Sequence, residues 1–324
     1  MLHRRPRATG PRWPPPPHPE DPLALSRAIV DAARRHGFCA AGVVAADAPA
    51  SYETYQMWLE AGHHGEMTWL ERDAEARRRL DSVLPYCRSV LAVAWQVPEG
   101  EPGNIARYSR GEDYHRVLRR KLHAVIEDVK PLAPKGSHFR VCVDTAPVLE
   151  RDLALRAGLG FIGKNGLLII PGVGSHVVLG EILTDILLAS TAAAIDGTLD
   201  RCGSCMRCLE SCPTDAFVAP RLLDARRCLS YLTIEKRGPL SPEQEQSLDG
   251  ALFGCDICQD VCPWNEAIPH SGLPAAFPSS LDPADLVALD REAFEERFAD
   301  TAIWRATPEG LSRNARAALA RTPS

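Results

Sequence analysis

Apolar and polar positions along this chain change period several times, and each change marks an element. Behind Asp21-Pro22, the residues Leu25, Ala28, Ile29, Ala32 and Ala33 recur at helical spacing, and Gly37 supplies a stop. Asp21 suits the N-cap, and the proline suits the first helical position, where no N–H is needed. A strand is expected over 38–44 and a second helix over 51–60, with Tyr52, Tyr55, Met57, Trp58 and Leu59 as packing residues. Residues 90–97 are almost continuously apolar, the mark of a buried strand. A long helix follows over 113–129. Its Arg116, Arg119, Arg120 and Lys121 form a basic stripe that a solvated face explains.

Further along, 139–143 reads as a short strand and 147–157 as a helix. Gly158, Gly160, Gly163 and Gly166 punctuate a loop, and apolar strands are expected at 167–170 and 176–188. Residues 191–200 read as a connector. After Pro263 the chain turns polar and proline-rich, until helical patterns return at 282–289, 291–298 and 308–320. Strands mixed with helices argue layers of both, a fold of the α+β or α/β class, with strand order left open.

Composition narrows the function classes. With 324 residues, 45% hydrophobic and 24% charged, the chain suits about two domains. A net charge of −5 advertises no global positive field for nucleic acid. No apolar run reaches the length of a membrane span. The start carries Arg4-Arg5, but Pro14-Pro15-Pro16-Pro17 follows instead of an apolar stretch, so residues 1–20 read as a disordered leader rather than an export signal. A cytoplasmic protein, with its thiols kept reduced, is the expectation.

The cysteines change the picture most. Cys202, Cys205, Cys208 and Cys212-Pro213 form a C-x2-C-x2-C-x3-C-P run, the pattern that holds cubane iron–sulfur clusters. A second copy stands at Cys255, Cys258 and Cys262-Pro263, with a lone Cys228 before it. In paired runs the fourth cysteine ligates the other cluster. One [4Fe-4S] set is therefore Cys202, Cys205, Cys208 and Cys262; the second is Cys212, Cys228, Cys255 and Cys258. Zinc also takes Cys-x2-Cys pairs, but usually from two separate knuckles, which is not this layout. A disulfide framework belongs to small secreted domains. Of the other three cysteines, Cys39 and Cys142 lie in apolar runs and read as structural thiols, leaving Cys87.

More than half of the chain lies outside the cluster region. There Asp144 stands where a strand ends, a usual place for a functional side chain, although an N-cap for the following helix explains it as well. The glycine loop at Lys164 matches neither G-x-x-x-x-G-K-[ST] nor G-x-G-x-x-G with a clean helix behind it.

Longer motifs identify a family. Val143-Asp144-Thr145-Ala146-Pro147-Val148-Leu149-Glu150-Arg151, followed by Gly158-Leu159-Gly160-Phe161-Ile162-Gly163-Lys164-Asn165, resembles the epoxyqueuosine reductases. So do Gly111-Glu112-Asp113-Tyr114-His115, Gly174-Ser175, Leu179-Gly180-Glu181, the stretch from Cys228 to Glu235 and the stretch from Phe253 to Asn265. The resemblance runs from about Asp21 to the end of the chain. It implies a cobalamin-binding catalytic domain over 21–195, a ferredoxin-like domain with two [4Fe-4S] clusters over 196–270, and a short helical tail over 271–324. Many relatives continue beyond that tail into helical repeats.

The activity implied is two-electron reduction of epoxyqueuosine to queuosine at the tRNA wobble position. Asp144 matches the family's proton donor, which must keep its proton near neutral pH; burial against cobalamin could provide that. Arg77, Arg107, Tyr114, Asp144, Lys164, Ser175, Ser230 and Asp256 are the candidate cobalamin contacts, although Arg77 within Arg77-Arg78-Arg79 also suits an exposed charge cluster. The partners implied are tRNA carrying epoxyqueuosine and a low-potential electron donor, with no membrane and a monomeric chain. Arg313, Arg316 and the basic helix are candidate tRNA contacts. Two other readings compete: a corrinoid reductive dehalogenase, similar in cofactors, and a plain two-cluster electron carrier.

Overall fold

A computed structural model describes residues 18–98, 100–192, 201–266, 275 and 277–320. Its strands in chain order are Ala40–Ala45 (β1), Ser89–Gln96 (β2), Phe139–Cys142 (β3), Phe161–Ile162 (β4), Leu168–Ile169 (β5), Val177–Thr184 (β6), Phe217–Ala219 (β7) and Leu222–Leu223 (β8). The first part of the chain carries helices Pro22–Arg35 (α1), Tyr52–Glu60 (α2), Thr68–Arg72 (α3), Ala74–Arg78 (α4), Tyr114–Val129 (α5) and Glu150–Arg156 (α6). The second part carries Arg207–Glu210 (α7), Leu229–Ile234 (α8), Pro242–Ser247 (α9), Ile257–Asp260 (α10), Pro283–Val287 (α11), Arg291–Phe298 (α12) and Thr307–Leu319 (α13).

The central sheet has the order β1-β2-β6-β3, and each neighbouring pair is antiparallel. The N-terminal domain, expected from the sequence as α/β within a mixed α+β and α/β chain, is therefore α+β, since none of its main-sheet pairs is parallel. Apolar periodicity reports which faces of a strand are buried; strand direction depends on which ends the connections join. Helices cover both faces. α1 and α5 seal one face against Val43, Leu91, Val93 and Ile182, and α6 seals the other against Val44, Val90, Ala92 and Leu183. That double cover explains why the start of β2 is apolar on successive residues rather than alternate ones. α6 approaches β1 so closely that a Cβ on Gly42 would sit 2.3 Å from the Ala157 carbonyl oxygen.

The sequence places α1 and its cap correctly: the Asp21 carboxylate accepts from the Leu23 and Ala24 amides at 3.0 and 2.9 Å. The strand expected at 38–44 starts at Ala40, and the one expected at 176–188 ends at Thr184. The helix expected from 147 begins at Glu150, because Asp144 to Val148 turn on short backbone bonds of their own. Met57 is 61% exposed, so it is not among the packing residues of α2. The expected leader at 1–17, the connector at 193–200 and the polar stretch at 267–274 lie outside the described residues.

Among the cysteine-bearing segments, α7 and α10 lie against each other, and β7 and β8 form a hairpin. The hairpin is tied back to α2, where the Trp58 indole N–H donates to the Leu223 carbonyl at 2.6 Å. The tail helices do not stand apart. Leu286, Phe294, Phe298, Ile303 and Leu311 share one apolar core with Ile105, Leu252 and Phe253. Asn314, fully buried, donates to the Thr233 and Leu252 carbonyls at 2.9 Å each. Beside it the Arg313 guanidinium donates to the carbonyls of Leu232, Lys236 and Gly238, the last turn of α8 and the loop beyond. Arg313 thus closes a helix end rather than facing outward for RNA; Arg316 stays exposed.

Candidate active site

Asp144 follows β3 with φ +55, a left-handed conformation that costs a non-glycine residue roughly 1 kcal/mol and that Asp and Asn tolerate better than others. It does not cap α6; Leu149 occupies that position. What holds the turn is Glu150, whose Oε1 accepts the Asp144 N–H at 2.7 Å. The Asp144 side chain is 55% exposed, so the protein alone does not bury it. Its Oδ2 lies 3.2 Å from His115 Nε2, and His115 Nδ1 lies 2.7 Å from Asp113 Oδ1. Burial disfavours a charge on His115, but its hydrogen bonds to Asp113 and Asp144 outweigh that and push its pKa up to about 9.

Aromatic rings wall this side. Tyr114 stacks on His115 with centroids 4.0 Å apart, and Tyr108 meets Tyr114 edge-on at 5.8 Å. Burial first, then the carboxylates of Asp256 and Asp144, push the Tyr108 phenol up. Tyr108 thereby feels both Asp144 and Asp256, the neighbour of Cys255. Behind Asp144 lie two more acids. Burial, then repulsion from Asp144, raises Glu150 to about 7. Glu181 on β6 is fully buried; burial, then repulsion from and a side-chain interaction with Glu150, hold its carboxyl well above the usual range.

These two raised acids carry a stability consequence. The folded protein keeps protons that the unfolded chain releases, so their contribution is complete at acid pH and falls once pH exceeds the ordinary carboxylate range, that of Glu150 being lost through about 7 and that of Glu181 through its own raised value. Thermal melts between pH 5 and 8, on the order of the carboxylate-to-neutral window, should show a falling Tm that Glu181→Gln flattens. An identical slope in that variant would contradict the assignment.

The cysteines gather as two sets. Cys202, Cys205, Cys208 and Cys262 line one cavity of ≈ 210 Å³, together with Lys164 and Trp264. In the other group, burial and then the thiols of Cys228 and, further down, Cys212 push Cys255 up to about 12. Cys258 is raised by burial, then by Cys255 and Cys228; Cys228 by burial, with Cys212 adding. Among the described residues no three His, Cys, Asp or Glu side chains form a group able to hold a single metal ion. The first set instead surrounds a space, as ligands do when each binds a different iron of one cluster.

The remaining sequence candidates divide. Arg107, Ser175 and Asp256 sit at the seam between the sheet-bearing part and the second cysteine segment. Asp256 Oδ2 accepts the Arg107 backbone N–H at 2.8 Å and lies 3.4 Å from its guanidinium, which also pairs with Asp260. The Ser175 hydroxyl donates to Gln259 Oε1 at 3.0 Å, and its N–H donates to Asn265 Oδ1 at 2.7 Å. Lys164 Nζ donates to the Gly203 carbonyl at 2.6 Å, against the first cysteine loop. Ser230 is half-buried on α8, and its carbonyl accepts from the Thr233 hydroxyl at 3.3 Å.

Arg77 is no exposed charge cluster: it is 6% exposed, lies over the Tyr55 ring, and has one guanidinium nitrogen with no partner among the described residues. Removing a charge from the seam should be costly, because Arg107 and Asp256 are both largely buried. Asp256→Ala is expected to destabilise the protein by roughly 2–3 kcal/mol, read from the urea midpoint. An unshifted midpoint would show that the seam does not depend on it.

Residue-by-residue reading gave no role to His115, Glu150 or Glu181, although all three stand inside quoted motifs. The available signal was three acids and a histidine in segments flanking one strand end. Tyr108 carried no signal beyond being aromatic.

A family model described as epoxyqueuosine reductase QueG matches residues 77–145, and one described as a 4Fe-4S double cluster binding domain matches 201–265. An epoxyqueuosine reductase of Pseudomonas aeruginosa is 37% identical, over 94% of this chain and 88% of its own. One from Gloeobacter violaceus is 41% identical, over 90% and 94%. A crystal structure of epoxyqueuosine reductase with an epoxyqueuosine-modified tRNA-Tyr stem loop is similar at a TM-score of 0.82 and 32% identity, covering 92% of this chain and 81% of that one. Among the described residues no helix is long and apolar enough to cross a membrane.

Proposed function

This chain belongs to the epoxyqueuosine reductase family, oxidoreductases of tRNA queuosine biosynthesis, and from that premise we propose how its residues divide the reaction. The substrate is epoxyqueuosine in the anticodon loop of tRNA. Two electrons and two protons enter; both C–O bonds of the epoxide break, the C=C bond forms, and the oxygen leaves as water.

Electrons arrive singly from a low-potential donor at clusters held by Cys202, Cys205, Cys208 and Cys262 and by Cys212, Cys228, Cys255 and Cys258. Burial and mutual repulsion keep Cys228, Cys255 and Cys258 protonated as free thiols, and bound iron would supply the positive charge that turns such a group into thiolate ligands. Cobalamin, when bound, supplies a cobalt centre that takes electrons one at a time and can deliver two to carbon. The unpartnered nitrogen of buried Arg77 fits a group of that kind, since a phosphate-bearing cofactor would satisfy it. Tyr114 contributes a ring beside Asp144. Arg107, Ser175 and Asp256 act by holding the second cysteine segment against this wall, and Lys164 by holding the first cysteine loop.

Asp144 carries the proton chemistry. The single observation behind this reading is a strained, solvent-facing carboxylate anchored through its backbone, with a histidine on its own oxygen. An acid there would neutralise the oxygen as the epoxide opens. The test is incubation of reconstituted enzyme with tRNA bearing epoxyqueuosine and a low-potential reductant, followed by nucleoside analysis. Survival of the epoxide while the clusters cycle would reject the reading and leave an electron carrier.

A further inference from the structure

We propose that His115 is the proton source behind Asp144: its Nε2–H passes to the Asp144 carboxylate once that group has given its own proton to the substrate oxygen, while Asp113 holds the ring. The proposal rests on the reading of Asp144 as the acid and adds what recharges it.

The geometry leaves His115 little freedom. Asp113 Oδ1 engages both the His115 backbone N–H, at 3.0 Å, and ring Nδ1, at 2.7 Å, so the N-cap of α5 doubles as the ring's anchor. Tyr114 stacks on one face of the ring. A ring held this way points Nε2 at Asp144. Its partner at Nδ1 is a carboxylate, which sets Nδ1 as a donor and leaves the second proton at Nε2. The charged groups that face it are Asp113 at the start of its own helix, Asp144 from the turn after β3 and Glu150 from α6. All three are acids, so the imidazolium form is favoured despite burial, and the ring carries its proton at neutral pH.

The stoichiometry requires a second proton, and His115 Nε2 is the protein group on the Asp144 carboxylate that can supply it. One proton converts the opening epoxide oxygen to hydroxyl, and a second lets that oxygen leave as water. Asp144 holds one proton at a time. His115 gives Nε2–H to Asp144 after the first delivery and regains a proton at Nε2 from solvent, to which 21% of the side chain is exposed. The electrons come from the low-potential one-electron donor through the clusters, so no other co-reactant is needed.

His115→Gln tests this. The glutamine amide can still donate a hydrogen bond to Asp144 but releases no proton in this pH range. Single-turnover reduction is expected to slow roughly 10²-fold. In the wild type the rate should fall as pH passes about 9, and that limb should vanish in the variant. Imidazole added to His115→Gly should restore part of the rate, which a merely structural role would not allow. A readout independent of turnover is the ¹⁵N titration of His115 in the purified protein: about 9 in the wild type, and lower in Asp113→Asn. A His115 that titrates at its ordinary value, or a His115→Gln enzyme with wild-type rate and the same alkaline limb, would overturn the proposal. Asp144→Asn separates the two levels. If Asp144→Asn keeps full turnover, the acid assignment itself fails; if it is inactive while His115→Gln is unaffected, only the relay fails.

Discussion

Asp144→Asn, reconstituted with iron, sulfide and cobalamin as the proposed function requires, should match the wild-type visible spectrum and yet reduce epoxyqueuosine at least about 10²-fold more slowly, the usual worth of a positioned general acid. Asparagine is nearly isosteric and tolerates the φ of +55 that this position adopts. Its Oδ1 can still accept from His115 Nε2, and its backbone N–H can still reach Glu150 Oε1, so the turn should survive. The one property removed is the ability to give up a proton. Alanine would be the weaker experiment, because it loses the His115 contact and the tolerance for left-handed backbone together. The measurement is single-turnover nucleoside analysis beside a visible spectrum of the same preparation. Full turnover in a variant with intact spectra would end the case for Asp144 as the acid.

The second large effect concerns Cys262. By sequence it belongs to the run of Cys255 and Cys258, yet it lines the cavity of Cys202, Cys205 and Cys208. Cys262→Ser should therefore damage the cluster built on the earlier run. Iron per chain is expected to fall by about half, with turnover lost, since each cubane needs four thiolates. Electron paramagnetic resonance of the reduced protein identifies which cluster remains. The Cys262→Ser spectrum should match that of Cys205→Ser and differ from that of Cys255→Ser; Cys212→Ser should show the converse. If Cys262→Ser instead matches Cys255→Ser, the crossed assignment is wrong.

The double-cluster domain was legible because the chemistry that selects its cysteine runs is local. Two intervening residues set the distance between successive sulfurs around one cube, whatever the rest of the chain does. The same holds for Asp21 before Pro22, where one helix end explains both residues. Asp144 was half legible. A strand end and a family motif marked it, but its exposure and its histidine partner could not be read from spacing. Arg107, Ser175, Lys164 and Asp256 show the reverse. Their motifs marked them, while the structure places them in seams between segments, Arg107 meeting Asp256 across 149 positions of chain. Arg77 looked like one of three surface arginines until its burial beside Tyr55 separated it from the other two.

By itself the sequence determined the paired cysteine runs of a double-cluster domain, the helices with strong caps and apolar stripes, the long buried strand and the family. Each follows from residues close together in the chain or from a motif long enough to be specific. Only the tertiary structure decided that the main sheet is antiparallel, that the tail shares a core with Ile105 and Phe253, and that Asp113, His115, Asp144, Glu150 and Glu181 converge. Those contacts join α5, the turn after β3, α6 and β6, elements whose relative positions come from burying both faces of one sheet. Periodicity says which face of each element is buried; which partner lies across that face depends on packing the whole chain at once.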